Sequence, residues 1–317
     1  MNVNFLNSIS KVYKVFVDCG NSSTKAQCIL PNGEIVRVII PTLASKGSDK
    51  VGQVGYVIED FEGESYVVGD ENKTVNTNVM LSKMDMTHKL STLTAIHQLV
   101  DNGAVVELSV GLPIHTYYNA EHRKEYIEFY SQHENLTLTI NGIEKSFSLA
   151  KVKAKPESVG HVFNFPTEGL IGVIDIGYTT IDGAVFKDCS PLVDTVFSLI
   201  DGANPFKTVV RDSLNKELLL NIQPYQLDEI LSKGLYGSKS QQADEIISKC
   251  KKEYLKKIVN EMLKHGWEIQ TLPIVFTGGG SLLLKDMIEQ IDTFIVSDNC
   301  IFDNLDGFTE MEMILNG

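Results

Sequence analysis

One pattern occurs twice in the chain, with its key aspartates at 18 and 175, and it constrains the fold more than anything else. A short run of β-branched and aromatic residues leads into Asp-x-Gly, then into hydroxyl residues, then into apolar alternation. The first copy is Val15-Phe16-Val17-Asp18-Cys19-Gly20-Asn21-Ser22-Ser23-Thr24-Lys25-Ala26. The second runs from Leu170 through Asp175-Ile176-Gly177-Tyr178-Thr179-Thr180 to Phe186. Each copy predicts strand, tight turn, strand. Around the first copy the strands are expected at Tyr13–Val17, Lys25–Leu30 and Glu34–Ile40, with a turn at Pro31-Asn32-Gly33 and a stop at Pro41. Around the second, a third strand is expected at Val193–Leu199. A duplication of this length in 317 residues implies two α/β domains built alike.

The turns carry the chemistry. Successive backbone N–H groups in a turn form a concavity for anions, and glycine lets the backbone come close to its ligand. The hydroxyls of Ser22, Ser23, Thr24, Thr179 and Thr180 are candidate donors to phosphate, and Lys25 adds a compact positive charge. Two such turns facing each other across a cleft would clasp a triphosphate. Asp18 and Asp175 would then face Mg²⁺, holding it through water because that ion sheds its water reluctantly. The plain alternative is that each aspartate only caps its turn. A third glycine run, Gly278-Gly279-Gly280-Ser281, follows a buried strand at Leu272–Thr277 and precedes a helix expected over Leu282–Gln290. Strand, glycines and helix N-terminus suit an adenosine or its α-phosphate, although a lone glycine run is also an ordinary strand-to-helix turn. Ahead of the second copy lies Lys155-Pro156-Glu157-Ser158-Val159. Hydrolysis of a γ-phosphate needs a group that orients the attacking water or takes its proton, and Glu157 is placed for it; by itself it reads as a solvated loop residue.

The remaining segments fill in two domains. Met80–Leu99 carries Leu90, Leu93, Ile96 and Leu99 at helical spacing and stops at Asp101-Asn102-Gly103. Ala104–Val110 is a buried strand and Asn119–Gln132 a helix. Leu136–Ile140 and Lys145–Leu149 flank Asn141-Gly142, a hairpin signal. Residues 42–76 are polar and Gly-rich with a strand at Ser65–Val68. Helices are expected from Asp201-Gly202-Ala203 to Leu220, near Tyr225–Ser232, and over Gln241–Lys264. A net charge of −13 without a basic run argues against direct nucleic-acid binding, and makes any self-assembly sensitive to salt and divalent ions. Met1–Lys11 lacks the pattern of a signal peptide, and no run approaches the length of a membrane span. The five cysteines form no Cys-x-x-Cys pair and the histidines no metal-ligand spacing, which predicts reduced thiols in a cytoplasmic protein and no structural zinc. Cys19, inside the first turn, is either a buried small residue or a reactive thiol beside phosphate.

Val17-Asp18-x-Gly20-Asn21-Ser22-x-Thr24-Lys25, Lys155-Pro156-Glu157-Ser158, Asp175-Ile176-Gly177-x-Thr179-Thr180-x-Asp182 and Thr277-Gly278-Gly279-Gly280 resemble the phosphate 1, connecting, phosphate 2 and adenosine motifs of the superfamily of actin, heat-shock chaperones and sugar kinases. Within it the chain is most similar to plasmid-segregation actins of the ParM type, as Gly111-Leu112-Pro113 with Tyr117-Tyr118 also suggests. The resemblance covers residues 13–300 and implies an actin-like ATPase fold, two duplicated ribonuclease-H-like domains around a nucleotide cleft. The expected domains are 13–168, with an inserted subdomain at 42–150, and 169–300, with a helical subdomain at 203–265. Residues 1–12 form an extension and 301–317 an acidic tail. By the same resemblance, Glu157 positions the attacking water, and Asp18 and Asp175 hold hydrated Mg²⁺. Gly20, Asn21, Ser22, Ser23, Thr24, Lys25, Gly177, Tyr178, Thr179 and Thr180 hold phosphates; Gly202 lies near the ribose, and Gly278, Gly279 and Gly280 near the α-phosphate and base. It also implies ATP or GTP as nucleotide, head-to-tail filaments of the chain itself, a DNA-binding adaptor at filament ends, and no membrane partner. His161-Val162-Phe163 departs from the small residues expected after the connecting motif. The rival functions are a small-molecule kinase of the same superfamily and a cell-shape or cell-division actin. A chaperone is disfavoured because no peptide-binding domain follows residue 300, and the tail lacks the basic face of a membrane anchor.

Overall fold

The computed structural model describes residues 12–30, 32–49, 54–71, 83–157, 162 and 169–316. The chain divides into two compact units, Met1–Glu157 with Leu315–Gly317, and Ser158–Ile314.

In the first unit the strands are β1 (Val12–Cys19), β2 (Ser23–Ile29), β3 (Ile35–Pro41), β4 (Ala44–Lys46), β5 (Tyr56–Phe61), β6 (Glu64–Val68), β7 (Ala104–Leu112), β8 (Asn135–Ile140) and β9 (Ile143–Pro156). Among the described residues they form one sheet in the order β3-β2-β1-β7-β9-β8-β5-β6-β4. β1 is the hinge of that order: antiparallel to β2 and parallel to β7. Its residues Val15 to Cys19 are all buried, as expected of a central strand apolar on both faces. Among the described residues, three helices complete the unit: α1 (Met86–Leu99), α2 (Ile114–Tyr117) and α3 (Ala120–Ser131). Asp85 caps α1 by accepting from the His88 N–H, and Asn119 caps α3 by accepting from the N–H groups of Glu121 and His122. Leu90, Leu93 and Ile96 of α1 pack on Val15 and Val17 within one core. Asn141 and Gly142, both at positive φ, make the tight turn between β8 and β9.

The second unit repeats the plan. Its strands are β10 (Leu170–Ile176), β11 (Ile181–Lys187), β12 (Ser190–Pro191), β13 (Phe197–Leu199), β14 (Ile274–Thr277) and β15 (Phe294–Val296). The sheet order β12-β11-β10-β14-β15, with β13 also on β11, matches β3-β2-β1-β7-β9 strand for strand. Again the central strand is antiparallel to its hairpin partner and parallel to the next. The helices are α4 (Ala203–Leu218), α5 (Pro224–Lys233), α6 (Ser240–Lys264), α7 (Lys285–Ile288) and α8 (Asp303–Asn316). Val210 and Leu214 of α4 and Ile247, Cys250 and Ile258 of α6 share a core with Ile174 and Ile176. Among the described residues no helix is long and apolar enough to cross a membrane.

Three expectations are corrected. The strand expected over Val193–Leu199 is a 3-10 turn at Val193–Thr195 followed by β13, with β12 lying ahead of both. Asp188 and Cys189, both at positive φ, turn the chain early, and the Thr195 hydroxyl takes the place of a backbone acceptor for the Val185 N–H at 3.0 Å. The helix over Leu282–Gln290 is a 3-10 turn at Gly279–Leu283 followed by the single turn α7. The supposed acidic tail folds as α8: Leu305, Phe308, Thr309 and Glu312 are buried at helical spacing, and Asp303 and Asp306 sit in the first turn, where the helix dipole favours acids.

Candidate functional site

The two Asp-x-Gly turns have the same geometry. In the first, Cys19 pairs with Thr24 and residues 20–23 make the loop, closed by the Gly20 N–H donating to the Ser23 carbonyl at 3.1 Å. In the second, Ile176 pairs with Ile181 and residues 177–180 make the loop, closed by the Gly177 N–H donating to the Thr180 carbonyl at 2.9 Å. A Cβ on Gly20 or Gly177 would stand 3.2 Å from that carbonyl, so the small residue is part of the closure.

Around these loops the surroundings differ. Asp18 lies opposite Lys25 across the hairpin, and the Lys25 ammonium sits 3.4 Å from the Asp18 carboxylate. Lys25 therefore balances Asp18 in addition to any charge it offers a ligand. Ser22 is exposed and Asn21 and Ser23 are half-buried, but Thr24 is buried. Its hydroxyl lies 2.9 Å from both the Cys19 sulfur and the Thr42 hydroxyl. The expectation that Thr24 meets phosphate gives way to an internal role: it ties the loop to β3 and its exit.

Asp175 lies opposite Asp182, and like charges at that position repel unless a cation joins them. The Thr180 hydroxyl donates to Asp182 at 2.9 Å, and the Asn304 amide of α8 reaches Asp175 at 3.5 Å. Tyr178 is exposed at the tip and Thr179 is buried. Asp182 was quoted within the motif without being assigned a role; the strand register is what brings it beside Asp175.

Two glycine segments close on the second turn. Gly202, Ala203 and Asn204 at the start of α4 donate their N–H groups to the carbonyls of Thr179, Gly177 and Tyr178, at 2.8, 2.9 and 2.9 Å. A Cβ on Gly202 would lie 2.6 Å from the Gly177 oxygen, so only glycine permits this approach. Gly278, at φ +74°, donates to the Cys300 carbonyl at 3.1 Å, and a Cβ there would strike Asp175 Oδ1 and lie 2.5 Å from the Ile176 oxygen. Gly280 is similarly pressed on Ile176, while Gly279 is exposed with open space around it. The Gly278–Gly280 segment thus packs closely against the end of β10 and Asp175.

Glu157 follows β9, its N–H donating to the Leu112 carbonyl at 2.9 Å. Its carboxylate Oε1 meets the Lys83 ammonium at 2.5 Å, with both side chains largely buried. Burial alone would lower the Lys83 pKa; the Glu157 carboxylate, with Asp18 adding to it, raises it above the ordinary lysine value instead. Lys83 is the partner of Glu157 that the sequence reading missed, since no local pattern marks a lysine 74 residues away. Ser158, His161 and Phe163, and residues 1–11 of the N-terminal extension, lie outside the described residues.

Cys19 is settled as a structural residue. Its side chain is 2 % exposed, and burial pushes its pKa up to about 11. At neutral pH only about one thiol in ten thousand would then be the reactive thiolate. In native protein, iodoacetamide followed by peptide mass spectrometry is expected to label the half-buried Cys189 and leave Cys19 unmodified until the protein is unfolded. Rapid native labelling of Cys19 would contradict this.

Two family models match the chain: actin-like proteins, N-terminal domain, over residues 17–160, and archaeal actin homologue MreB-like, C-terminal, over residues 173–290. The sequence matches no curated protein. Among solved structures, the Alp12 filament is 21 % identical with a TM-score of 0.71, covering 97 % of this chain and 100 % of that one. A 15-stranded ParM filament from Clostridium botulinum is 18 % identical with a TM-score of 0.74, covering 96 % and 99 %. Ta0583, an archaeal actin homologue in complex with ADP, is 20 % identical with a TM-score of 0.72, covering 95 % and 99 %. At these identities the likeness shows the fold, while the two domain models account for most of the sequence. A duplicated hairpin turn with its entering aspartate, a glycine segment locked on the second copy, and actin-type matches to both halves lead to one conclusion: the chain belongs to the actin-like protein family.

Proposed function

We propose that this protein binds and hydrolyses a nucleoside triphosphate, ATP or GTP, with Mg²⁺, and that nucleotide binding drives its assembly into filaments. The observation that carries this reading is the repeated turn: two glycine-closed loops of equal length, each entered by an aspartate. The exposed tips of the two loops, Ser22 in the first and Tyr178 in the second, offer backbone and hydroxyl donors suited to phosphate oxygens. Among the described residues no cluster of three or more His, Cys, Asp or Glu side chains converges. A Mg²⁺ here would rest on Asp18 and Asp175 through water, as such ions commonly do beside phosphates. The Asp175–Asp182 pair supplies negative charge for it. Glu157 is proposed to orient the attacking water and take its proton.

The filament reading is supported by the family and by the similar Alp12 and Clostridium botulinum ParM structures, both of them filaments. By extension, the filament would move plasmid or other extrachromosomal DNA, through an adaptor protein that contacts the DNA. The net charge of −13 fits indirect attachment better than direct contact with nucleic acid.

The test is light scattering by purified protein on addition of ATP or GTP with MgCl₂, paired with phosphate release and with electron microscopy in a non-hydrolysable analogue. Scattering should rise, filaments should appear with the analogue, and phosphate should follow assembly. Turnover that requires a second small substrate, without scattering, would instead identify a kinase.

A further inference from the structure

Lys83 stands in the irregular stretch just ahead of α1, and Glu157 just beyond the end of β9. Their side chains are 10 % and 14 % exposed, and the ammonium and carboxylate are 2.5 Å apart. A buried ion pair is a weak device for stability, because removing two charges from water offsets most of their attraction. Cohesion alone would be served as well by two apolar residues. The neighbours of this pair give it another meaning. The Asp18 carboxylate acts on Lys83 in the same sense as Glu157 does, and Cys19 of the same loop is within its electrostatic reach. One ammonium thus lies in the field of both the first phosphate-type turn and the carboxylate proposed to act on water.

We infer that Lys83 is a positioning residue for Glu157. This rests on the hydrolase reading above. A carboxylate that receives a proton from water must be ionised and aimed, and an ammonium in direct contact with it serves both ends. The Lys83 ammonium supplies both conditions: it anchors Oε1 and favours the charged form. In the reaction, the water oxygen bonds to the γ-phosphorus as one of its protons passes to the Glu157 carboxylate. The bond from that phosphorus to the bridging oxygen breaks, and its electron pair leaves with the nucleoside diphosphate. Lys83 takes no proton in this step. It holds the acceptor still.

The experiment compares wild type, Lys83→Met, Lys83→Gln, Glu157→Gln and the double variant Lys83→Met/Glu157→Gln. Equilibrium binding is read with a fluorescent ATP analogue in MgCl₂, and single-turnover phosphate release is read with ATP. Lys83→Met is expected to slow phosphate release about tenfold to a hundredfold, with affinity changed less than about threefold on the same reasoning. Lys83→Gln, which keeps a donor to Oε1 without the charge, is expected to fall between Lys83→Met and wild type. Adding Lys83→Met to Glu157→Gln is expected to slow the reaction no further, because the group being positioned is already gone. Should Lys83→Met lose its cooperative melt, Lys83→Gln and the uncharged double variant carry the comparison. Wild-type turnover in the Lys83 variants, or an equal further loss on top of Glu157→Gln, overturns the inference. A loss confined to affinity also overturns it, making Lys83 a nucleotide ligand instead. Absence of turnover in the wild type removes the hydrolase reading itself, and this inference with it.

Discussion

Phosphate release by a Glu157→Gln variant is expected to fall about a hundredfold or more, the range typical of a lost general base, while nucleotide affinity stays nearly constant. Glutamine keeps an oxygen in front of the Lys83 ammonium but cannot accept the water's proton at neutral pH. An interaction made only in the transition state lowers turnover without weakening ground-state binding. Nucleotide-driven light scattering should therefore persist and decay more slowly. Glu157→Ala should show the same kinetic loss with an added cost in stability. It removes the carboxylate in direct contact with buried Lys83, a change that costs about 3 kcal/mol in comparable sites. A Glu157→Gln protein that releases phosphate at the wild-type rate would take this residue out of the reaction.

The second large effect concerns Gly278. Alanine there is expected to destabilise the second unit by about 3 kcal/mol: roughly 1 from the left-handed backbone at φ +74°, and roughly 2 from overpacking. The added methyl meets the Asp175 carboxylate and the Ile176 carbonyl, and a backbone oxygen cannot swing away. The melting temperature of that unit should fall by about 10 °C, and affinity for Mg²⁺-nucleotide should drop because Asp175 is displaced. Gly279→Ala is the control. Its Cβ meets nothing within 4 Å, so its stability should stay within about 0.5 kcal/mol of wild type. Equal melting of the two variants would refute the packing argument.

These sites differ in how far the sequence exposes them. The Asp18 and Asp175 hairpins could be read directly, because a tight turn depends on four consecutive residues and both copies carry them. Asn141-Gly142 was legible for the same reason, and α6 because Ile246, Cys250, Tyr254 and Ile258 repeat every four positions. Lys83 was hidden because its partner arrives through a crossover past α1, β7 and β9, which no window of neighbours contains. The depth of Thr24 was hidden as well. Its hydroxyl suggested a ligand contact, and only the packing of Cys19 and Thr42 turns it inward. In α8 the acids drew attention away from the apolar face of Leu305 and Phe308, whose spacing was visible. The end of the strand expected over Val193–Leu199 is present as β13, but its first half is a 3-10 turn, because a threonine side chain replaces a ladder hydrogen bond, a substitution that propensity does not register.

The amides at the start of α4 do more than seal a turn. Three consecutive N–H groups grip the carbonyls of 177–179, so loop and helix are one mechanical piece. The helix is 16 residues long, about 24 Å at the usual rise. A tilt of the loop by a few degrees therefore becomes a displacement of an ångström or more at the helix's far end. There Leu219 is 87 % exposed, and Tyr225 on the adjoining α5 is 83 % exposed. The loop is the fulcrum of a lever whose tip carries an exposed leucine.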